Sequence, residues 1–413
     1  MNRGKDGYSR REFLSRSVSG MAGAGLLSGS GKALLSYDQK KLSQESDKKR
    51  EIICKTLGKT GIRMPIVNMG VMNTFDSALI KRAYEIGIRH FDTAAWYGRG
   101  RNEEMVGNAI KELNVRDEVI IGTKVFIPLQ QRNITPDQAK ETTLKVAEES
   151  LQRLQTDHID ILYSHNVSNI EWLKNPGILE ALRLLRKQGK ARFIGFTTHQ
   201  NMAECIRQAT KDGYYDVVLT AFNYPMGDDK ELIDALKNAH AKGIGLIAMK
   251  TQCTQYHFRR YVPEDRLQYY KGKMMQTAVL KWVLRNDFIT TAIPGYTTFQ
   301  QMEEDFSVAY DLEYTPEEKK FLEDRNAKLT MAYCLQCNQC VPTCPKRVDI
   351  PTLMRTHMYA ACYANFYQAR DALDEIPRGK GLDACISCET CRAHCVNRVD
   401  IAKRIDELKV IYL

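Results

Sequence analysis

The stretch "GIRHFDTAAWYGRGRNEEMVGNAIKE", residues 87–112, decides the fold. It opens on a short apolar run that ends at Asp92, passes through a glycine-containing loop carrying Tyr97, and continues into an amphipathic segment. That is one strand–loop–helix unit. Working outward, the same unit recurs. Runs with strand character stand at 66–72 (IVNMGVM), 88–94 (IRHFDTA), 118–125 (EVIIGTKV), 159–166 (IDILYSHN), 191–198 (ARFIGFTT), 217–224 (VVLTAFNY), 243–250 (GIGLIAMK) and 289–295 (ITTAIPG). Helical segments lie between them, Pro136–Leu154 and Glu171–Lys187 among them. Ahead of all this, "CKTLGKTGIRMPIV" (54–67) reads as a hairpin with Lys59-Thr60-Gly61 near its turn. Eight strand-plus-helix units in about 250 residues predict an α/β fold of the (β/α)8 TIM-barrel type rather than an open doubly wound sheet. No G-x-G-x-x-G follows the first strand, which also weighs against a dinucleotide-binding Rossmann domain.

In such barrels chemistry collects where strands end. Asp92 ends the second barrel strand with Tyr97 in the loop beyond it, Lys124 ends the third and His165 the fourth. Each alone has a bland explanation, Asp92 as a turn former and His165 as a satisfied core histidine. Four together at one rim make a catalytic set. A lysine beside a tyrosine is expected to lower the phenol from about 10 by favouring phenolate, and an aspartate keeps that lysine charged. Tyr97 is then the proton donor to a carbonyl oxygen and His165 orients that oxygen.

The region from about Glu51 to Leu329 resembles the aldo-keto reductases, through "LGKTGIRMP", residues 87–112, "IIGTKV", "IDILYSHN", "IGFTTH" and "TTAIPGYTTFQQMEED". The resemblance implies a nicotinamide-dependent barrel enzyme whose Asp-Tyr-Lys-His tetrad is Asp92, Tyr97, Lys124 and His165. It also implies where NADP(H) or NAD(H) would sit: Thr197, Thr198, Asn223, Lys250, Pro294, Gly295, Thr297 and Gln301. Several of these depart from the family pattern. Thr197, Thr198 and Leu219 stand where a Ser-Asn pair and a Gln usually clasp the nicotinamide amide. Met249 or Lys250 takes the place of a stacking aromatic. Gly295 and Gln301 replace the Lys and Arg that grip a 2′-phosphate, removing contacts worth about 1.5–3 kcal/mol each. The segment "IPGYTT" can still offer amides at a helix N-terminus to an anion. The expectation is weakened or altered nicotinamide binding, or a different electron source. The loop "TQCTQYHFRRYVPEDRLQYYKGK" (251–273) is expected either to overhang the mouth, lining a pocket for an anionic or ring-containing substrate, or to fold against its own surroundings.

The chain has 413 residues and 12 cysteines, and eight of the cysteines form a repeat: "CLQCNQCVPTCPKRVDI" (334–350) and "CISCETCRAHCVNRVDI" (385–401). Disulfides would strain such short loops, and structural zinc needs only paired C-x2-C. The spacing C-x2-C-x2-C-x3-C instead suits two [4Fe–4S] clusters with crossed ligation. One set is Cys334, Cys337, Cys340 and Cys395; the other is Cys385, Cys388, Cys391 and Cys344. Pro345 follows the first run and Val396 replaces the second proline. This region, 330–413, resembles bacterial two-cluster ferredoxins of the helical variety. Leu353, Met354, Met358, Ala361, Cys362 and Phe366 recur at helical spacing and read as packing against the clusters, while Tyr333 is placed to shield one. Cys54, Cys205, Cys253 and Cys362 read as small buried hydrophobes.

The formal charge is +10, but residues 1–50 alone hold 11 Lys/Arg against 5 Asp/Glu, and no basic helix or aromatic ribonucleoprotein motif follows, which argues against nucleic acid as a partner. "SRREFLS" (9–15) and the mild apolar run after it resemble a twin-arginine (Tat) export signal over 1–36, with a charged linker at 37–50. The run is too polar for a membrane anchor. The resemblance implies the Tat translocase as a partner and a periplasmic or envelope location, with the cytoplasm as the alternative. The functional expectation is an oxidoreductase acting on a small carbonyl or alcohol, with a redox partner serving its clusters. The rival is a non-catalytic redox-sensing or docking scaffold.

Overall fold

The computed structural model describes residues 51–127, 133–252, 275–331 and 334–413. The leader and linker, most of the 251–273 loop, Cys253 and Tyr333 lie outside the described residues. Residues 52–413 form one compact unit.

A short antiparallel hairpin, β1 (Cys54–Thr56) and β2 (Arg63–Pro65), comes first. Eight parallel strands follow: β3 (Met69–Gly70), β4 (His90–Asp92), β5 (Ile120–Val125), β6 (Ile159–Ser164), β7 (Ala191–Thr198), β8 (Val217–Ala221), β9 (Gly245–Met249) and β10 (Thr291–Ala292). Parallel bridges Val67–Ala292 and Gly70–Gly295 join the first and last strands, so the sheet closes into a barrel. Each predicted strand run contains its observed strand.

The interior is filled by side chains, as barrels of this size require. Ile161, Tyr163, Val217, Leu219 and Ile247 pack together there, and the hairpin plugs the N-terminal end with Leu57, Ile62 and Met64. Tyr163 fits inside because residue 195 on the neighbouring strand is glycine; a Cβ there would stand 2.7 Å from the Tyr163 ring. Leu219 belongs to this packing and offers no polar group to a ligand.

Local signals explain the helices. Pro136–Leu154 begins with a reciprocal capping box, Thr135 with Gln138, and has Pro136 in its first turn. The expected single helix 171–187 is broken into Ile170–Leu173 and Pro176–Lys187. Pro176 cannot continue a helix from before it, and Asn175 caps the second piece.

Residues 334–413 contain no strand among those described, and their helices are Ile350–His357, Phe366–Asp374, Leu382–Cys385 and Ile401–Tyr412, with a π-helical turn at Met358–Cys362. The cysteine repeat has a structural reason in its shared tail. Arg347 and Arg398 both take left-handed backbone (φ 49° and 58°), Val348 and Val399 are buried, and Asp349 and Asp400 each cap the helix that starts at the following isoleucine. The two runs therefore end in equivalent turns. They also touch: Lys346 donates to the Ala384 carbonyl at 2.9 Å, and the His394 amide donates to Thr343 Oγ1 at 3.2 Å. No described helix is long and apolar enough to cross a membrane.

Phe366 departs from expectation. Leu353 and Met354 pack with the cysteines and Met358 packs toward the barrel, but Phe366 is exposed. The π-turn and the left-handed Ala364 (φ 48°) reset the helical face before that position.

Candidate active site

Strand geometry delivers the four expected groups to one rim. Asp92 is the last residue of β4, Lys124 lies near the end of β5, and His165 follows β6 directly. Parallel pairing holds these strands side by side, with Asp92 opposite Gly122 and Lys124 opposite Tyr163. Tyr97 opens a tight turn beyond β4 that uses left-handed backbone at Gly98, Arg99 and Gly100. The turn is anchored from behind. Asn102 donates to the carbonyls of Val71 and Thr74, both at 2.9 Å, and accepts from Thr93 Oγ1 at 2.7 Å.

Lys124 Nζ donates to Asp92 Oδ1 and to the Thr93 carbonyl, with both side chains almost fully buried. Burial lowers the lysine and Asp92 opposes it, so the ion pair is what keeps Lys124 charged. The ammonium sits 5.1 Å from the centre of the Tyr97 ring, and the rings of Tyr97 and His165 meet edge-on at 6.0 Å and 81°. One expectation is overturned here: Tyr97 is not lowered. Burial raises it well above 10, Asp92, Tyr359 and Glu375 add to that, and Arg355 opposes. The Lys124 charge is spent on Asp92, so the phenol holds its proton.

The nicotinamide candidates divide. Asp92, Tyr97, Met249, Lys250, Pro294 and Gly295 line one cleft of about 650 Å³. Thr197 and Thr198 do not line it, and their hydroxyls serve the chain itself, Thr197 accepting from the Asn166 amide at 2.9 Å and Thr198 donating to the Gln200 carbonyl at 2.9 Å. Asn223 donates to the Lys250 carbonyl at 3.2 Å and shapes the loop there. Gln301 Oε1 accepts from the amides of Thr297 (3.0 Å) and Thr298 (3.2 Å), closing a capping box on the helix Phe299–Phe306. Two of the amides that were to meet an anion, those of Thr297 and Thr298, are already satisfied by the protein.

What covers the mouth is the C-terminal segment, which the sequence did not reveal. Asn365 donates to the Met72 carbonyl at 3.1 Å, and Gln200 donates to Thr352 at 3.2 Å. Lys250 Nζ donates to Tyr359 Oη at 3.0 Å and lies over the rings of both Tyr359 and Tyr363. Arg355 is buried against Glu375 at 2.5 Å, and the same carboxylate oxygen accepts from Asn166 at 2.7 Å. A sequence signal existed: Arg355 and Tyr359 are spaced i, i+4, a polar stripe beside the apolar one.

The eight repeat cysteines fall into two groups. Burial pushes the Cys334 thiol up to about 12, and Cys395, Cys340 and Cys337 push the same way. Burial takes Cys385 up to about 11, with Cys344, Cys388 and Cys391 adding to it. Cys344, Cys385, Cys388 and Cys391 line a cavity of about 760 Å³. Among the described residues no cysteine is in a disulfide, and no three His, Cys, Asp or Glu side chains converge on a point suited to a single metal ion. Of the scattered cysteines, Cys205 is buried and Cys54 half-buried.

Comparison with known proteins agrees with the barrel. A model of the aldo/keto reductase family matches residues 70–269. The chain is 30% identical over 240 residues to glyoxal reductase of Bacillus subtilis, spanning 56% of this chain and 78% of that protein. It is 27% identical over 292 residues to L-galactose dehydrogenase of Arabidopsis thaliana, spanning 64% and 90%. Among solved structures, an aldo-keto reductase from Bacillus halodurans in its holo form superposes with a TM-score of 0.55 at 21% identity, covering 66% of this chain and 96% of that one. An aldo/keto reductase from Klebsiella pneumoniae in complex with NADP and acetate gives 0.51 at 21%, covering 67% and 96%. This chain belongs to the aldo/keto reductase family and is an oxidoreductase.

Proposed function

We propose that the protein interconverts a small carbonyl compound and its alcohol at Asp92, Tyr97, Lys124 and His165, with electrons reaching the site through two [4Fe–4S] clusters, from NADP(H), or from both. The observation that carries this is the buried convergence of a protonated Tyr97, the Lys124–Asp92 pair and His165 at one rim, with Tyr97 and Asp92 lining the cleft. When bound, clusters supply single electrons and a nicotinamide supplies hydride. The chain's own part is the proton on oxygen, which is all that hydride requires, whereas two single electrons require a second proton, taken from water, to form the C–H bond. Tyr97, kept neutral by burial, donates from Oη to the carbonyl oxygen as that oxygen gains charge, and His165 fixes the oxygen's position. Lys124, neutralised by Asp92 in the ground state, stabilises the phenolate that forms.

The cysteine groups fit [4Fe–4S] clusters. Six of the eight thiols lie in or against an apolar core, and Cys344, Cys385, Cys388 and Cys391 surround a cavity, a grouping that supports the crossed pattern the spacing calls for. Zinc would draw four sulfurs to about 3.8 Å from one another, given Zn–S near 2.3 Å. The nicotinamide fit is partial. Gln301 occupies the amides of Thr297 and Thr298, and the Lys250 ammonium lines the cleft, where it would oppose an oxidised, cationic ring. That asymmetry favours clusters as the main electron source. The Tat-like leader agrees with it, since Tat moves proteins already folded around cofactors and free NADPH is scarce beyond the cytoplasm; a periplasmic or envelope location follows. Anaerobic purification with iron and sulfide counts and EPR tests the clusters, with about eight iron and eight sulfide per chain expected. Loss of carbonyl turnover in Tyr97→Phe tests the tetrad.

A further inference from the structure

Among the described residues the barrel mouth holds more positive than negative charge, and the excess has no carboxylate partner there. Lys124 is matched by Asp92 and Arg355 by Glu375. Lys250 has no carboxylate partner among the described residues; its ammonium meets only the Tyr359 hydroxyl and two aromatic faces. Lys250 also sits in left-handed backbone, φ 56°, an uncommon conformation for a non-glycine residue. Beside it are two buried polar atoms without a hydrogen-bond partner, Nε of Arg355 and Nδ1 of His199, on side chains each 5% exposed. His199 is held neutral by burial, with Arg355, Lys250, His165 and Lys124 each acting against a proton there. Buried polar groups of this kind are normally satisfied, so two such atoms beside a cation that lines the Tyr97 cleft point to anion recognition at that end of it.

We propose that Lys250 of the barrel and Arg355 of the C-terminal segment form a carboxylate subsite, so that the substrate is an oxo acid or hydroxy acid. This rests on the tetrad reading, because the carbonyl beside that carboxylate is the group Tyr97 would protonate. One surplus cation matches one negative charge, and a phosphate dianion would leave the closed mouth with an excess of the opposite sign. Specificity would then be divided between two parts of the chain, and the segment that brings the cysteine repeat would also bring half of the subsite.

The test compares phenylglyoxylate with phenylglyoxylamide, which differ only in the charged group, by calorimetry on the holo-protein. The acid should bind at least about tenfold more tightly, as a charge-assisted contact is worth that much. Lys250→Met should bring the two affinities together, and Lys250→Arg should retain the preference. Equal affinities in the unaltered protein, no measurable binding of the acid at millimolar concentration, or a preference that survives Lys250→Met would overturn the subsite. Turnover separates this from the underlying reading. Reduction of the amide by the unaltered protein but not by Tyr97→Phe upholds the tetrad whatever the binding ratio. Turnover insensitive to Tyr97→Phe removes the tetrad, and with it the substrate assignment.

Discussion

Asn166, in the loop after β6, and Glu375, 209 residues further along the chain, are joined by a 2.7 Å hydrogen bond at the barrel mouth. The Glu375 oxygen that accepts it also accepts from Arg355. One buried carboxylate therefore ties the end of a barrel strand to the segment that carries the cysteine repeat. Its neighbours Arg355 and Tyr359 both act electrostatically on Tyr97, so the tie reaches the reacting phenol.

Breaking that tie should be costly. Glu375→Gln leaves the Arg355 guanidinium buried without its counter-charge, and removing one member of a buried pair costs about 3–5 kcal/mol. Urea unfolding of the holo-protein should show a lowered midpoint. Arg355→Met combined with Glu375→Leu should recover part of the loss, since no lone charge is then buried. An unchanged midpoint in Glu375→Gln would argue against the pair.

Tyr97→Phe should reduce turnover by about 10²–10⁴, the usual worth of a positioned proton donor, with the far-ultraviolet circular dichroism unchanged. The ring stays to pack against His165, so only the proton is removed. A loss in KM alone would point to a binding role instead.

Asp305 offers a pH test. Burial takes its carboxyl from the ordinary 3.8 up to about 8, despite the 2.6 Å hydrogen bond from Gln252. An acid held protonated in the folded state favours folding below its unfolded pKa and loses that contribution as pH rises through the folded one. Stability should therefore decline between about pH 4 and pH 8, and Asp305→Asn should flatten that part of the profile. Unfolding midpoints measured across the range decide it; equal slopes in both proteins would contradict the assignment.

Much of this was legible in the sequence because it is local. Strand runs alternate with helices whose caps are written in the chain, such as Thr135-Pro136, and the rim residues follow from where strands end. What was not legible depends on contacts between distant segments or on burial. The amides of IPGYTT looked available to an anion, but those of Thr297 and Thr298 are taken by Gln301 of the helix that follows. Tyr97 was expected to be lowered by Lys124, an expectation that left out the burial later imposed by the C-terminal segment. Phe366 was placed on a buried stripe because regular helical spacing gives no warning of a π-turn. The mouth's cover, from Arg355 to Glu375, could be read only as helix.

Crossed ligation predicts which cysteines behave alike. Cys395→Ser should disturb the same EPR signal as Cys334→Ser, and Cys344→Ser the same as Cys385→Ser. If Cys395→Ser instead affected the signal lost with Cys388→Ser, each run would hold its own cluster.

Nicotinamide should bind weakly. Calorimetric titration of the holo-protein with NADPH and NADH should give dissociation constants well above the micromolar range, because Gln301 caps the amides and no Lys or Arg stands at residues 295 and 301. A micromolar NADPH affinity would restore nicotinamide as the main source of electrons.

The most direct test of the account joins its two halves in one cuvette. The anaerobically purified protein is reduced with dithionite, freed of excess reductant, and mixed with a panel of carbonyl compounds that includes oxo acids, without nicotinamide, while the visible iron–sulfur absorbance is followed. An oxo acid should reoxidise the protein and be recovered as its alcohol, and Tyr97→Phe should slow both by about 10²–10⁴. A protein that stays reduced with every carbonyl, yet turns one over when NADPH is added, would contradict it.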